Sequence, residues 1–276
     1  RVKGPQDSGR AMPLPDWTLL VRTPAFEVTA LLLGLVVGSF ANVCIHRLPL
    51  GRSVVSPPSR CPRCDTLIRP WDNLPVLSWL VLRGRCRACQ APISPRYPAV
   101  EAANGFLWLG LAVQRGPSPQ TLVSMVVVSA LLVLSLIDLE HMLLPDVITL
   151  PGIAFGLAAS ALPGSPIRPL EAVAAAAGGY LAFAAVWWIW RRFRGIDALG
   201  QGDWKLAAML GACLGWPKML LTVFLACVIG AVVGVVVLRL RGTDRLPFGT
   251  FLGAAGILVV FVGDALLVWY RGLFGG

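Results

Sequence analysis

Gly200-Gln201-Gly202-Asp203-Trp204-Lys205 is the stretch from which the rest of this chain can be read. An apolar run starts directly behind it. A carboxylate at the edge of a bilayer is costly, and such residues are usually retained for function. A second carboxylate, Asp138, closes another long apolar run at Ile137. Two aspartates held at one membrane surface are the minimal equipment for hydrolysing a peptide bond inside a membrane protein. The pairing points to an intramembrane aspartyl protease.

The composition agrees with a membrane setting. Of 276 residues, 56% are hydrophobic and only 14% charged, against about 25% charged in ordinary soluble domains. The fold class expected is an all-α polytopic membrane protein. About eight transmembrane helices are read, at 26–45, 98–114, 121–137, 147–162, 171–190, 204–216, 219–238 and 250–270. Several are shorter than the ~20 residues a straight span prefers, and the fourth and sixth are the weakest. The net charge of +10 is a topology signal rather than a nucleic-acid signature, so no nucleic-acid partner is expected. Most Lys and Arg residues sit in the loops at 46–97, 191–205 and 239–245. An even count of spans puts those loops on one side, which the positive-inside rule makes cytoplasmic. Both aspartates fall on that side, at the inner membrane of a bacterium, with lipid as the surrounding partner.

The organisation that follows is an N-terminal segment 1–25, a first span 26–45, a cytoplasmic zinc-binding subdomain 46–97 and a transmembrane peptidase domain 98–276. Residues 1–11 look unlike the rest and read as a vector-derived remnant before Met12. Within 46–97, Cys61-Pro62-Arg63-Cys64 and Cys86-Arg87-Ala88-Cys89 form paired C-x-x-C knuckles about twenty residues apart. That spacing is a tetrahedral structural zinc site, in which each turn supplies two thiolates. Two disulfides are the bland alternative, and a reducing cytoplasm disfavours them. Cys44, Cys213 and Cys227 lie in apolar spans and read as packing residues. About fifty residues bury little core alone, so the metal would supply folding energy.

The aspartates divide by local context. Most G-x-G-D sequences are a turn whose Asp caps the next helix, and here a helix is expected from near Trp204. Gly200 and Gly202 would allow close backbone approach, and Lys205 stands where a dinucleotide fingerprint needs its third glycine. In Ile137-Asp138-Leu139-Glu140-His141-Met142-Leu143-Leu144-Pro145-Asp146, three acids compete to partner Asp203. Asp146 follows Pro145 and reads as a helix cap, Glu140 as solvated, and Asp138 as nearest the hydrocarbon. His46 and His141 read as interfacial loop residues. Asp264 and Glu101 read as buried, hydrogen-bonded residues facing the bundle. Asp138 at a helix C-terminus and Asp203 at a helix N-terminus meet opposite ends of helix dipoles. That predicts an ionised Asp203 activating water and a protonated Asp138 polarising the scissile carbonyl.

The sequence resembles the type IV prepilin peptidases, the bifunctional leader peptidase and N-methyltransferase family of GxGD-type enzymes. Gly34-Leu35-Val36-Val37-Gly38-Ser39-Phe40-Ala41-Asn42-Val43 with His46-Arg47-Leu48-Pro49 looks like its N-terminal block. The cysteine pairs, Asn73-Leu74-Pro75 and Ser94-Pro95-Arg96-Tyr97-Pro98-Ala99-Val100-Glu101 look like its cytoplasmic domain. Asp138 through Pro145-Asp146 and Gly200 through Leu206 look like its two catalytic blocks. The resemblance implies that Asp138, rather than Asp146, pairs with Asp203. It implies that Pro145, Asp146, Gly200, Gly202 and Lys205 support the site. It also implies cytoplasmic cleavage of prepilins or secretion pseudopilins after a glycine. Methylation of the new N-terminus from S-adenosylmethionine is implied with it, for which Gly38, Ser39, Asn42 and Glu101 are candidates; helix packing at an interface is the alternative for the same four. Thr250 stands where the family often has proline, which bears on the rigidity of a loop at 247–251. Two other classes stay open: a GxGD protease of other substrates without methyl transfer, and a non-enzymatic zinc-bearing membrane adaptor.

Overall fold

The computed structural model describes residues 24–195, 200–241 and 246–274. The expected segment at 1–11 and parts of the basic loops (196–199 and 242–245) lie outside them. The helices are α1 (Pro24–Arg47), α2 (Leu77–Val81), α3 (Arg96–Arg115), α4 (Pro119–His141), α5 (Asp146–Ser160), α6 (Pro169–Arg194), α7 (Gln201–Arg241) and α8 (Phe248–Phe274). Short 3₁₀ turns at Leu48–Leu50 and Pro70–Asn73 precede α2. Among the described residues the only strand-like pairings are two isolated bridges, Arg60 with Leu67 and Arg85 with Pro92.

Five helices (α1, α4, α6, α7 and α8) are long and apolar enough to cross a membrane, and α5 is shorter but apolar. α3 carries Arg96, Glu101 and Arg115 in 20 residues, which sets it apart from those five. α7 is one assigned helix where two spans were expected. Gly215, at φ 74° and ψ 175°, breaks it, and only glycine tolerates that backbone cheaply. Pro217 follows within two residues and cannot close the usual backbone bond. Counting α7 as two segments, the helical bounds match the eight expected spans within a few residues. The first half of α7 starts earlier than expected, at Gln201 rather than Trp204.

Local signals explain the ends that matter. Ser118 caps α4 by accepting the Thr121 N–H at 3.1 Å, with Pro119 at the first helical position. At the other end, Met142 takes a left-handed conformation and its N–H returns to the Asp138 carbonyl at 2.9 Å. Asp138 therefore occupies the last turn of α4, while Asp203 occupies the first turn of α7. His46 and His141 belong to the last turns of α1 and α4, not to loops. The apolar runs had simply extended one turn further than their hydrophobicity showed.

α1 packs on α3, α6 on α7, α5 on α7, and α8 against both α4 and α7. Leu131, Leu134, Leu206, Leu210 and Leu252 are fully enclosed in the central core. A smaller cluster of Ala41, Ile45, Val100, Val133 and Ile137 ties α1, α3 and α4 together just beneath Asp138. α8 is thus the element that holds the end of α4 in register with the start of α7.

Candidate active site and metal centre

Asp138 is 5% exposed and Asp203 9%, although they are brought there by separate helices. They are near enough to interact electrostatically. Each is held by backbone. The Thr250 N–H, in the first turn of α8, donates to Asp138 Oδ2 at 2.6 Å, and the Thr250 hydroxyl lies 3.2 Å from the same oxygen. That hydroxyl also donates to the Ser135 carbonyl at 3.1 Å. Asp203 Oδ2 accepts the Gly200 N–H at 3.1 Å. This is the reverse of the expected cap: Asp203 sits at the third helical position and reaches back, as the acidic member of a capping box does. The Thr250 hydroxyl has one proton to divide between Ser135 and Asp138, so each carboxylate has a single backbone donor of its own.

The glycines do what close approach demands. A Cβ on Gly202 would lie 2.8 Å from Leu144 Cβ, and a Cβ on Gly249 would lie 2.8 Å from Leu144 Cδ1 and 2.9 Å from Asp138 Oδ2. Leu144 is buried between them. Gly200 has open space around it apart from the Asp203 carboxylate at 3.4 Å. Gly249→Ala is therefore expected to push Asp138 off its position. Cleavage by that variant should fall by about 10–100-fold, the cost of misplacing a reacting group by about 1 Å, with helix content unchanged by circular dichroism. Wild-type turnover in Gly249→Ala would show that Asp138 does not need this geometry.

Asp146 does not cap α5. It is the first helical residue and makes no cap bond. Its two oxygens each lie 2.7 Å from Lys205 Nζ, an ion pair that joins the segment after Asp138 to the helix that carries Asp203. Pro145 is the residue before that helix, in extended conformation. Glu140 is exposed, as expected, and pairs there with Arg96 at 2.5 Å. Asp264 pairs with Lys218 at 2.8 Å but is largely exposed rather than turned into the bundle. Local rules read these acids singly, and their partners come from up to 59 residues away. Position 250 is likewise not a rigid loop but helix. Thr250 and Gly249 are the site residues that sequence reasoning missed. The only signal was the departure from proline, which has no N–H to give.

Gly38, Asn42 and Glu101 meet at one α1–α3 contact. A Cβ on Gly38 would lie 2.7 Å from Glu101 Cα. Asn42 Nδ2 donates to the Tyr97 carbonyl at 3.0 Å, and buried Glu101 Oε2 accepts the Val76 N–H at 2.7 Å. Ser39 is half-buried beside them. The two helices therefore meet backbone to backbone at Gly38 and Glu101.

The four cysteines at 61, 64, 86 and 89 bring their sulfurs within 4.8 Å of one another. Cys61 and Cys89 Sγ are 3.8 Å apart, matching the edge of about 3.8 Å for a tetrahedron with 2.3 Å zinc–sulfur bonds. No disulfide joins them. The two knuckles repeat the same backbone: Cys61 N–H to the Thr66 carbonyl at 3.0 Å, and Cys86 N–H to the Ala91 carbonyl at 2.8 Å. Asp65 and Gln90, each just after the second cysteine, take positive φ of 55° and 57°. The Thr66 hydroxyl and amide hold the Cys64 thiol down to about 6. Arg87 clamps Asp72 with contacts of 2.6–3.1 Å and holds that carboxyl below the ordinary range. Cys44 and Cys213 are half-buried, as packing residues would be, whereas Cys227 is exposed.

Comparison with known proteins places this geometry. Residues 32–115 match the Bacterial Peptidase A24 N-terminal domain and residues 125–235 match the Type IV leader peptidase family. A prepilin leader peptidase/N-methyltransferase of Pseudomonas putida is 41% identical over 94% of this chain and 99% of its own length. Proteins of the same name from Stutzerimonas stutzeri and Pseudomonas aeruginosa are 40% and 39% identical, over 89% and 94% of this chain and 94% and 98% of their own lengths. No solved structure matches it. With the paired aspartates and the thiol quartet lying inside those matched regions, the chain belongs to the type IV leader peptidase family.

Proposed function

We propose that this protein cleaves the leader of type IV prepilins and prepilin-like pseudopilins with Asp138 and Asp203. It then N-methylates the new N-terminal residue with S-adenosylmethionine. The observation that carries the reading is the pair of buried carboxylates, drawn from two helices and each fixed by a backbone N–H. One carboxylate takes a proton from water as the water attacks the scissile carbonyl. The other, protonated, donates to the carbonyl oxygen, and a proton then passes to the leaving amine as the C–N bond breaks. Neighbouring carboxyls do not easily both ionise, so one would stay protonated for the donor role while the other acts as base.

Pro145, Asp146, Gly200, Gly202 and Lys205 support the dyad by packing and by the ion pair rather than by touching substrate. Cys61, Cys64, Cys86 and Cys89 would hold one zinc; with all four positions filled by thiolate, it supplies folding energy and no open site. Methyl transfer is assigned to the 46–97 subdomain with the adjoining ends of α1 and α3, where Glu101 positions the subdomain through Val76. The 98–276 segment carries the peptidase.

Incubating the purified protein with a prepilin and reading the product by mass spectrometry tests this. Loss of the leader is expected, followed by gain of one methyl when S-adenosylmethionine is added. Cleavage without any methyl gain favours a prepilin peptidase without methyl transfer, and neither reaction favours a protease of other substrates or a zinc-bearing adaptor. The dyad and the metal loop face the cytoplasm of a bacterial inner membrane, because the basic loops flank both. A cysteine introduced as Asp65→Cys should react with an impermeant reagent only after the cells are opened, and labelling in intact cells would reverse the orientation.

A further inference from the structure

The metal-bearing subdomain carries an apolar surface of its own. Trp71, Leu74, Leu77, Leu80 and Val81 are each more than half exposed. They lie in one short stretch that runs from the 3₁₀ turn Pro70–Asn73 through Leu74 to α2, bounded by exposed Arg69 and Arg83. A contiguous exposed apolar patch rimmed by cations marks an interaction surface.

Its depth identifies the partner. The Val76 N–H reaches the buried Glu101 carboxylate, and Glu101 packs on Gly38. Gly38 is nine residues before the end of α1 at Arg47, which is about 13 Å along a helix at 1.5 Å per residue. The neighbouring Val100 shares a cluster with Ile137, the last apolar residue before Asp138. On α1 at this level Phe40 is exposed, continuing an outward row of Leu32, Leu33 and Val36. The 70–81 stretch therefore sits below the end of α1, beside helix surface that faces lipid.

We propose that residues 70–81 insert into the bilayer interface as an anchor for the subdomain, apolar side chains among the acyl chains and Arg69 and Arg83 at the headgroups of an anionic leaflet. Amphipathic segments with arginine flanks bind such surfaces by burying apolar area while the cations meet anionic lipid. Trp71 supports the arrangement, since amphipathic rings prefer the headgroup level, and the Arg69 guanidinium lies 5.8 Å from its ring centre. The anchor would fix the otherwise small metal loop at the height of the dyad.

Spin labels on the full chain in nanodiscs of mixed neutral and anionic lipid test this. One label is placed through Leu80→Cys and a reference label through Arg63→Cys, after Cys44, Cys213 and Cys227 are changed to alanine and the four zinc cysteines are left metal-loaded. At position 80, collisions with oxygen dissolved in lipid should exceed those with a water-soluble nickel complex severalfold. The ratio should be inverted at position 63. Equal ratios at the two positions would overturn the proposal. So would protection of position 80 from both agents, because protein rather than lipid would then cover the patch. If Leu80→Cys does not fold, Val81→Cys reads the same surface.

Discussion

Asp138→Asn and Asp203→Asn are each expected to abolish leader cleavage while leaving the detergent-solubilised protein folded. Asparagine keeps the volume and an oxygen able to accept the Thr250 N–H at position 138 or the Gly200 N–H at position 203. What it removes is the capacity to take or give a proton. General acid–base catalysis contributes about 10²–10⁴-fold, and the dyad supplies both halves, so a fall of at least about 10³-fold should be seen by mass spectrometry. The double variant should be no slower than either single one, because residues acting as a unit are strongly non-additive. Each variant should melt within a few degrees of the parent. Substantial cleavage by either folded variant would remove that residue from the chemistry. Asp203→Asn should still methylate a pre-cleaved pilin if the two activities use separate sites.

Metal removal is expected to have the second largest effect, and a local one. Structural zinc in finger-like peptides binds with an apparent free energy of about 10–16 kcal/mol at pH 7, more than a fifty-residue loop can obtain from its own core. The protein purified without chelator should contain one zinc per chain. Stripping it, or introducing Cys64→Ser, should let the 52–95 region unravel, and its exposed arginines would become rapid trypsin sites. The helical bundle should keep its circular-dichroism signal, because the central core of Leu131, Leu206 and Leu252 draws nothing from the loop. Absence of zinc, or ready alkylation of all four thiols in the native protein, would exclude the assignment.

The helices, the thiol quartet and the G-x-G-D turn were legible in the sequence because each is signalled within a short window, whereas Asp138 was picked from three acids only by the family resemblance. Apolar runs, a C-x-x-C repeat and G-x-G-D need no knowledge of what lies across the bundle. Asp146 shows where that kind of reading stops. Local rules make it a helix cap, and a partner at Lys205 outcompetes that role, since an exposed N–H can be satisfied by solvent more cheaply than a cation among helices. Glu140 is exposed as its local context suggested, but its partner Arg96 was unseen for the same reason. Gly249 and Thr250 were invisible because their meaning lies entirely in a contact with residue 138. Gly215, by contrast, was half legible: the boundary between two expected spans fell beside it, but nothing in the window said that the helix would bend rather than end.

α8 has one consequence for how the enzyme comes into being. Domains and helices emerge from the ribosome in chain order, and Phe248–Phe274 is the last helix described here. A nascent chain that has been made only as far as Arg241 already carries both aspartates. It does not yet carry the Gly249 backbone that packs on Asp138 or the Thr250 amide that aims it. By this geometry Asp138 gains its amide donor and its glycine packing only when α8 docks on α4.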